Sequence, residues 1–265
     1  MRRDDQRQAV KNIPLEQLKP FKNHPFQVRD DEEFRRLVES IEIHGVIHPA
    51  VARQIGEDCY ELISGHRRKA ACEVLGYSEM PVLVRSMTDD EAVVNMVDAN
   101  LQRETILPSE RAFAYKMKAE ALAHQGWRTD LTSRQLVPKS DDNRTTAQIG
   151  ADTGDSYKTV QRYIRLTNLI PEILRYVDEG RISFTPAVEL SYLNEQEQYD
   201  LLEQMELNDC TPSLSQACRF KKLSQEDGLT PEVIATIMSE EKANQREMFK
   251  VPMERMLMVA GHVML

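Results

Sequence analysis

Apolar positions at Phe34, Leu37, Val38 and Ile41 recur at helical spacing, and Gly45 stands where such a helix would stop. Two strand-like runs follow, over 46–53 and 59–63. A basic helix over about 66–75 ends near Gly76, and Met80 to Arg85 reads as another short strand. Asp89, Asp90 and Glu91 then open a helix with acids in its first turn, where the helix dipole favours them. Short strands and helices mixed in this way predict a compact α+β domain over 13–104. Residues 1–12 are polar and are expected to be mobile.

From Pro108 onward the pattern turns helical. Leu107 to Glu110 reads as a helix start, with the helix running to His124 and stopping at Gly126. The polar stretch 126–144 is expected to be an exposed insertion. Ile149 to Val160 fits a helix-turn-helix: Gly150 is small where two helices cross, Gly154 sits at the turn, and Ile149, Val160 and Ile164 supply a shared core. The second helix, Ser156 to Asn168, carries Lys158, Arg162 and Arg165 and no acid. On such a helix Ser156, Tyr157, Lys158, Thr159 and Gln161 suit base edges, and Arg162 and Arg165 suit phosphates. The same residues would also form an ordinary basic surface helix. The helix-turn-helix domain is placed at 105–193 and an acidic, helical C-terminal region at 194–265. The apolar end, Met256 to Leu265, is too short to span a bilayer.

Composition narrows the classes. The chain has 265 residues, enough for two or three small domains, and no apolar run long enough for a membrane span. Its start lacks the apolar core of a signal peptide. Cys59, Cys72, Cys210 and Cys218 show no CxxC spacing, which suits reduced cytosolic thiols. Net charge is −9, which at first opposes DNA binding. The acidity is uneven, however. Residues 189–248 hold 13 acids and 5 bases, whereas residues 1–188 hold 29 acids and 27 bases. A near-neutral body of this kind can still present a basic face.

The segment with the most chemistry is Ser64-Gly65-His66-Arg67-Arg68, between a strand and a helix. A glycine lets backbone approach a ligand, a helix N-terminus attracts anions, and arginine forks match phosphate oxygens. Together they describe a polyphosphate site, although a turn followed by a solvated basic helix fits the same residues.

Residues from about Ile13 to Leu193 resemble the ParB family of DNA-partitioning proteins. Leu18-Lys19-Pro20 with Asn23 to Arg29 looks like the family's opening box, and His44 to Arg53 like its second. Gly65-His66-Arg67-Arg68 is similar to the arginine box, GERR. Asn100-Leu101-Gln102-Arg103-Glu104 with Leu107 to Ala112 looks like the next box, and the helix-turn-helix follows. Gly180 to Ala187 resembles the family stretch G-x-L-S-x-x-H-A, with Pro186 in place of its histidine. The resemblance implies an α+β N-terminal domain of the ParB/sulfiredoxin type, an all-α helix-turn-helix domain and a helical C-terminal region.

It also implies a function. Such proteins bind a centromere-like DNA site and close a clamp on DNA when CTP and magnesium bind. By resemblance Gly65, His66, Arg67, Arg68, Arg53, Asn100 and Arg103 would form the nucleotide site, and Asn100 would face the metal. His66, which replaces the box glutamate, reads as a helix-surface residue. Ala99 stands where the family has a glutamate, which puts CTP hydrolysis in doubt. Asp98 lies about 100° away on a helix and is not a clean substitute. Double-stranded DNA, a second copy of the chain and a ParA-type ATPase are the implied partners, in a cytoplasmic, nucleoid-associated setting. Met1 to Lys11 shows neither the ATPase-stimulating motif nor a membrane-binding amphipathic helix. Alternatives are a ParB-like regulator or nucleoid-occlusion protein without hydrolysis, or an enzyme like sulfiredoxin or the free-serine kinases. Sulfiredoxin needs a cysteine in the glycine-arginine loop, and Ser64 to Arg67 has none.

Overall fold

The computed structural model describes residues 10–103, 105–130 and 141–240. A five-stranded mixed sheet organises the first part. Its strands are β1 (Val10–Pro14), β2 (Leu18–Lys19), β3 (Ala50–Gly56), β4 (Cys59–Ser64) and β5 (Glu79–Val84), in the order β1-β5-β3-β4-β2. β3 and β4 form an antiparallel hairpin, and β3 runs parallel to β5. Alternation along each strand sends side chains to opposite faces. Ala50, Ala52 and Leu62 therefore meet α1 (Glu32–His44) and α2 (His66–Val74) on one face. Val51 and Ile63 meet α3 (Asp89–Leu101) and α4 (Pro108–Asp130) on the other.

Local signals position these helices. Asp31 caps α1, its carboxylate accepting from Phe34 N–H at 2.7 Å. Thr88 and Glu91 form a reciprocal capping box at the start of α3. Asp178 caps α4 from a distance, accepting from Ser109 N–H at 2.9 Å and from its hydroxyl at 2.5 Å.

Helices α5 (Asp141–Thr153) and α6 (Tyr157–Leu166) make the helix-turn-helix, and α4 packs on both. Tyr115 of α4 joins Ile149 and Val160 in the small core beneath it. Helices α7 (Pro171–Asp178), α8 (Phe184–Leu190), α9 (Glu195–Leu207), α10 (Leu214–Gln225) and α11 (Pro231–Met238) share one further apolar core. Acidic segment 195–238 is thus built into the same helical body as α7 and α8.

The α+β domain followed by helices agrees with the reading above, and several boundaries move. Residues 10–12, expected in the mobile N-terminus, pair with β5 in β1. The strand expected over 46–53 is Ala50–Gly56, because Pro49 cannot donate to a ladder. α4 passes through Gly126 to Asp130, and α5 begins at Asp141, so all of the expected 126–144 insertion with a described backbone is helical. Residues 131–140, Glu104 and the apolar end at 256–265 lie outside the described residues.

Candidate functional site

The junction between β4 and α2 depends on Gly65. Its φ is +107°, and an added Cβ would lie 2.8 Å from Ala50 Cβ. Only glycine lets the helix begin this close to β3. Gly65 provides no side-chain cap, and the first turn of α2 contains no acid, so the dipole's positive end is not neutralised from within the helix. Arg68 has a different task from the one expected. Its Nη1 donates to Pro49 O at 2.8 Å and also to His48 O, and burial lowers its pKa. This Nη1 anchors α2 to the loop ahead of β3 rather than facing the cleft.

Arg67 and Arg103 face a narrow cleft, together with Gln27, Arg29, Asp31, Glu33, Thr105 and Glu110. Arg67 pairs with Asp31 at 3.2 Å and Glu33 at 3.1 Å. Arg29 pairs with the buried Glu110 at 2.6 Å, and Glu110 also accepts from Gln27 N–H and Leu107 N–H, both at 3.0 Å. Arg103 lies over the Phe26 ring at 5.4 Å. Burial, then the neighbouring Arg67, lowers the Arg103 pKa. Three guanidiniums thus surround one space, and the two acids on Arg67 are about half exposed. Partly solvated pairs of this kind hold only about 0–1 kcal/mol, so a multivalent anion can replace them. Gln27, Arg29 and Glu110 fall inside the quoted boxes, yet sequence reasoning gave them no role. Only the fold brings 27, 29 and 110 to one cleft.

His66 is not a surface residue. Its ring lies 3.9 Å from that of His24, and its Nε2 accepts from Phe21 N–H at 3.4 Å. His24 Nδ1 bonds Phe26 O at 2.7 Å. Burial, then the charges of His24, Arg103 and Lys69, lowers the His66 pKa to about 3, and burial lowers that of His24. Both folded values lie below the unfolded value near 6.5, so the neutral pair's stabilisation is full above pH 6.5 and is lost as pH falls toward 3. Replacing His66 by glutamine should flatten the decline between pH 6.5 and 5 by up to about 1.4 kcal/mol per pH unit. Urea midpoints across that range check this; parallel curves for the two proteins would refute it.

Two expected members stand apart. Arg53 bonds Glu61 and Asp89, each at 2.6 Å, beside the first residue of α3. Arg103 lies beyond the other end of α3, which at 1.5 Å per residue is about 20 Å away. Arg53 therefore does not share the cleft of Arg67 and Arg103. Asn100 is 5% exposed, and its Nδ2 donates to Met96 O at 2.8 Å. Asp98 is bound to Lys118 at 2.6 Å. With Ala99 between them, this segment offers no carboxylate set for a hard dication, and no cluster of three His, Cys, Asp or Glu side chains suited to a metal occurs among the described residues. The residues do not fit a protein-built magnesium site.

In the helix-turn-helix, Gly154 takes φ +80° and Ser156 caps α6 by accepting from Thr159 N–H at 3.1 Å. Ser156, Tyr157, Lys158 and Gln161 are exposed, and Thr159 is half-buried. Arg162 lies over Phe184 at 4.9 Å and donates to Thr185 Oγ1 at 3.1 Å. Arg165 lies over Tyr192 at 3.8 Å and donates to Ser191 O at 3.3 Å. The two arginines expected to meet phosphate therefore hold α6 against α8 and its C-terminal end. The first turn of α6 is the part that projects.

The ParB N-terminal domain profile matches residues 1–101, and the ParB HTH domain profile matches residues 139–211. A nucleoid occlusion protein of Lysinibacillus sphaericus is 31% identical over 203 residues, which cover 76% of this chain and 61% of the relative. A probable chromosome 1-partitioning protein ParB of Deinococcus radiodurans is 32% identical over 67% of this chain and 54% of the relative. The chain thus spans roughly six-tenths of the length of these relatives. A solved pNOB8-like ParB N-domain superposes with a TM-score of 0.50 at 15% identity, covering 87% of this chain and 98% of that one, and so shares the fold. With both ParB domains present in order along it, the chain belongs to the ParB family.

Proposed function

We propose that this protein binds a specific centromere-like DNA site through α6 and closes on DNA as a dimer under control of CTP held at the cleft of Arg67 and Arg103. The observation that carries the reading is the pairing of two features in one chain. One is a cleft with three guanidiniums beside an uncapped helix N-terminus. The other is a helix-turn-helix whose projecting turn carries Ser156, Tyr157 and Lys158 and no acid. The first suits a polyphosphate and the second a DNA groove. Arg67 and Arg103 are the residues assigned to the phosphates, while Arg29 is held at the cleft by the buried Glu110. Gly65 keeps α2 in place, His66 and Arg68 support its first turn, and Arg53 and Asn100 take structural roles.

Calorimetric titration of CTP into the full chain tests the nucleotide half. Arg67→Ala should weaken binding at least about tenfold, the loss of one charge-assisted fork. No heat from the parent protein, with or without duplex DNA, would overturn the assignment.

For the DNA half, Lys158→Ala should cost about 1–3 kcal/mol if the ammonium meets a base edge. If it meets only phosphate, binding to all sequences should weaken alike and the salt slope should fall by about one. Arg165→Ala should change DNA affinity only through stability, because its guanidinium is occupied by Tyr192 and Ser191. Anisotropy titrations at several salt concentrations separate these cases, and an unaltered titration for Lys158→Ala would remove α6 from the interface.

A second reading is a nucleoid-occlusion protein or regulator on the same scaffold, with CTP bound but not turned over. The absence of a carboxylate at Ala99 and the relatives named nucleoid occlusion proteins favour it. Chromatin immunoprecipitation with sequencing distinguishes them. One or a few peaks with flanking spread indicate a partition clamp; many dispersed peaks indicate the regulator.

A further inference from the structure

Lys118 is 1% exposed, and its ammonium sits between two carboxylates of different parts of the protein. Asp98 of α3 lies at 2.6 Å and Asp152 of α5 at 2.7 Å. Burial alone would lower the pKa of this lysine, but the bonds from Asp152 and Asp98 outweigh it and hold the charge. α4 therefore carries a fixed cation where the α+β domain and the helix-turn-helix meet. The neighbours on each side matter. Asp98 lies two residues before Asn100 and five before Arg103, at the end of α3 that reaches the cleft. Asp152 lies two residues before Gly154, at the turn that sets α6. One turn earlier on α4, Tyr115 donates to Asp155 Oδ2 at 2.6 Å, and the first turn of α4 holds Glu110, which pairs with Arg29 of the cleft.

We propose that Lys118 is an ion-pair latch that couples the nucleotide cleft to the helix-turn-helix through Asp98 and Asp152. A buried lysine loses far more from one missing partner than an exposed one, because its charge cannot return to water without opening the helices around it. Movement of the Asp98 end of α3 is then felt at Asp152, and the effect is reciprocal. The nucleotide half of this inference rests on the function proposed above; the mechanical half does not.

Hydrogen exchange on the full chain tests both. Asp98→Asn should speed amide exchange about fivefold or more in α5, over 146–153, and Asp152→Asn should do the same in α3, over 96–101. A purely local ion pair would loosen only the helix that carries the substitution, and that result would overturn the proposal. Lys118→Met serves as a third variant, and the two asparagine changes decide the question if it does not fold. Addition of CTP to the parent should change α5 exchange, and Asp98→Asn should blunt this response while CTP binding by calorimetry persists. An equal response in Asp98→Asn would overturn the coupling. Absence of CTP binding by the parent would remove the nucleotide reading, while the reciprocal exchange pattern would still decide the latch.

Discussion

Gly65→Ala should destabilise the α+β domain by about 3 kcal/mol and abolish anion binding at the cleft. Two effects act together. The residue holds φ +107°, which an L side chain rarely adopts, and the new Cβ would sit 2.8 Å from Ala50 Cβ and 3.3 Å from Ala50 Cα. Ala50 is fully buried in the sheet and cannot withdraw. The helix must move instead, carrying Arg67 out of the cleft and straining the Arg68 bonds to His48 and Pro49. Urea unfolding of Gly65→Ala, Ala50→Gly and the double variant separates the causes. Coupling of about 1 kcal/mol between the two sites is expected from the contact, with the φ strain left over. Additive effects would mean that the Cβ contact is unimportant.

Gly150→Ala should destabilise the helix-turn-helix by about 2 kcal/mol, against the direction that helix propensity gives. Alanine in a helix is favoured over glycine by about 1 kcal/mol, so an open site would be stabilised. Here the Cβ would lie 2.5 Å from Asp155 O and 3.4 Å from Tyr157 N, both backbone atoms of the turn. α6 must shift, and with it the projecting Ser156, Tyr157 and Lys158. Tm and duplex-DNA affinity should fall together. A raised Tm would show that α5 and α6 do not cross as closely as described.

Helix α1 and the α2 junction were legible in the chain because periodicity, caps and glycines are local signals. Phe34 and Ile41 lie on the buried face of α1, and Gly45 ends it with φ +69°. Gly65 and Gly154 were readable for the same reason, since a positive φ leaves few other residues possible. The strand β1 was not, because its exposed residues gain order only by pairing with β5, some 70 residues away in sequence. Gly126 did not stop α4, which also packs against several other elements that its own sequence does not reveal.

The candidate site divides in the same way. Sequence alone determined that arginines follow a glycine at the start of α2, that an acid-free helix follows a turn glycine, and that Ala99 stands in a segment of the ParB type. Which arginines remain available was decided by tertiary structure. Arg68, Arg162 and Arg165 hold backbone carbonyls, a hydroxyl or rings supplied by other elements, and Arg53 holds Glu61 and Asp89. Arg29 and Glu110 joined the cleft from 81 residues apart. A guanidinium's residue type sets what it can bind, but its partner is chosen by distance and burial, and those exist only once the chain has folded.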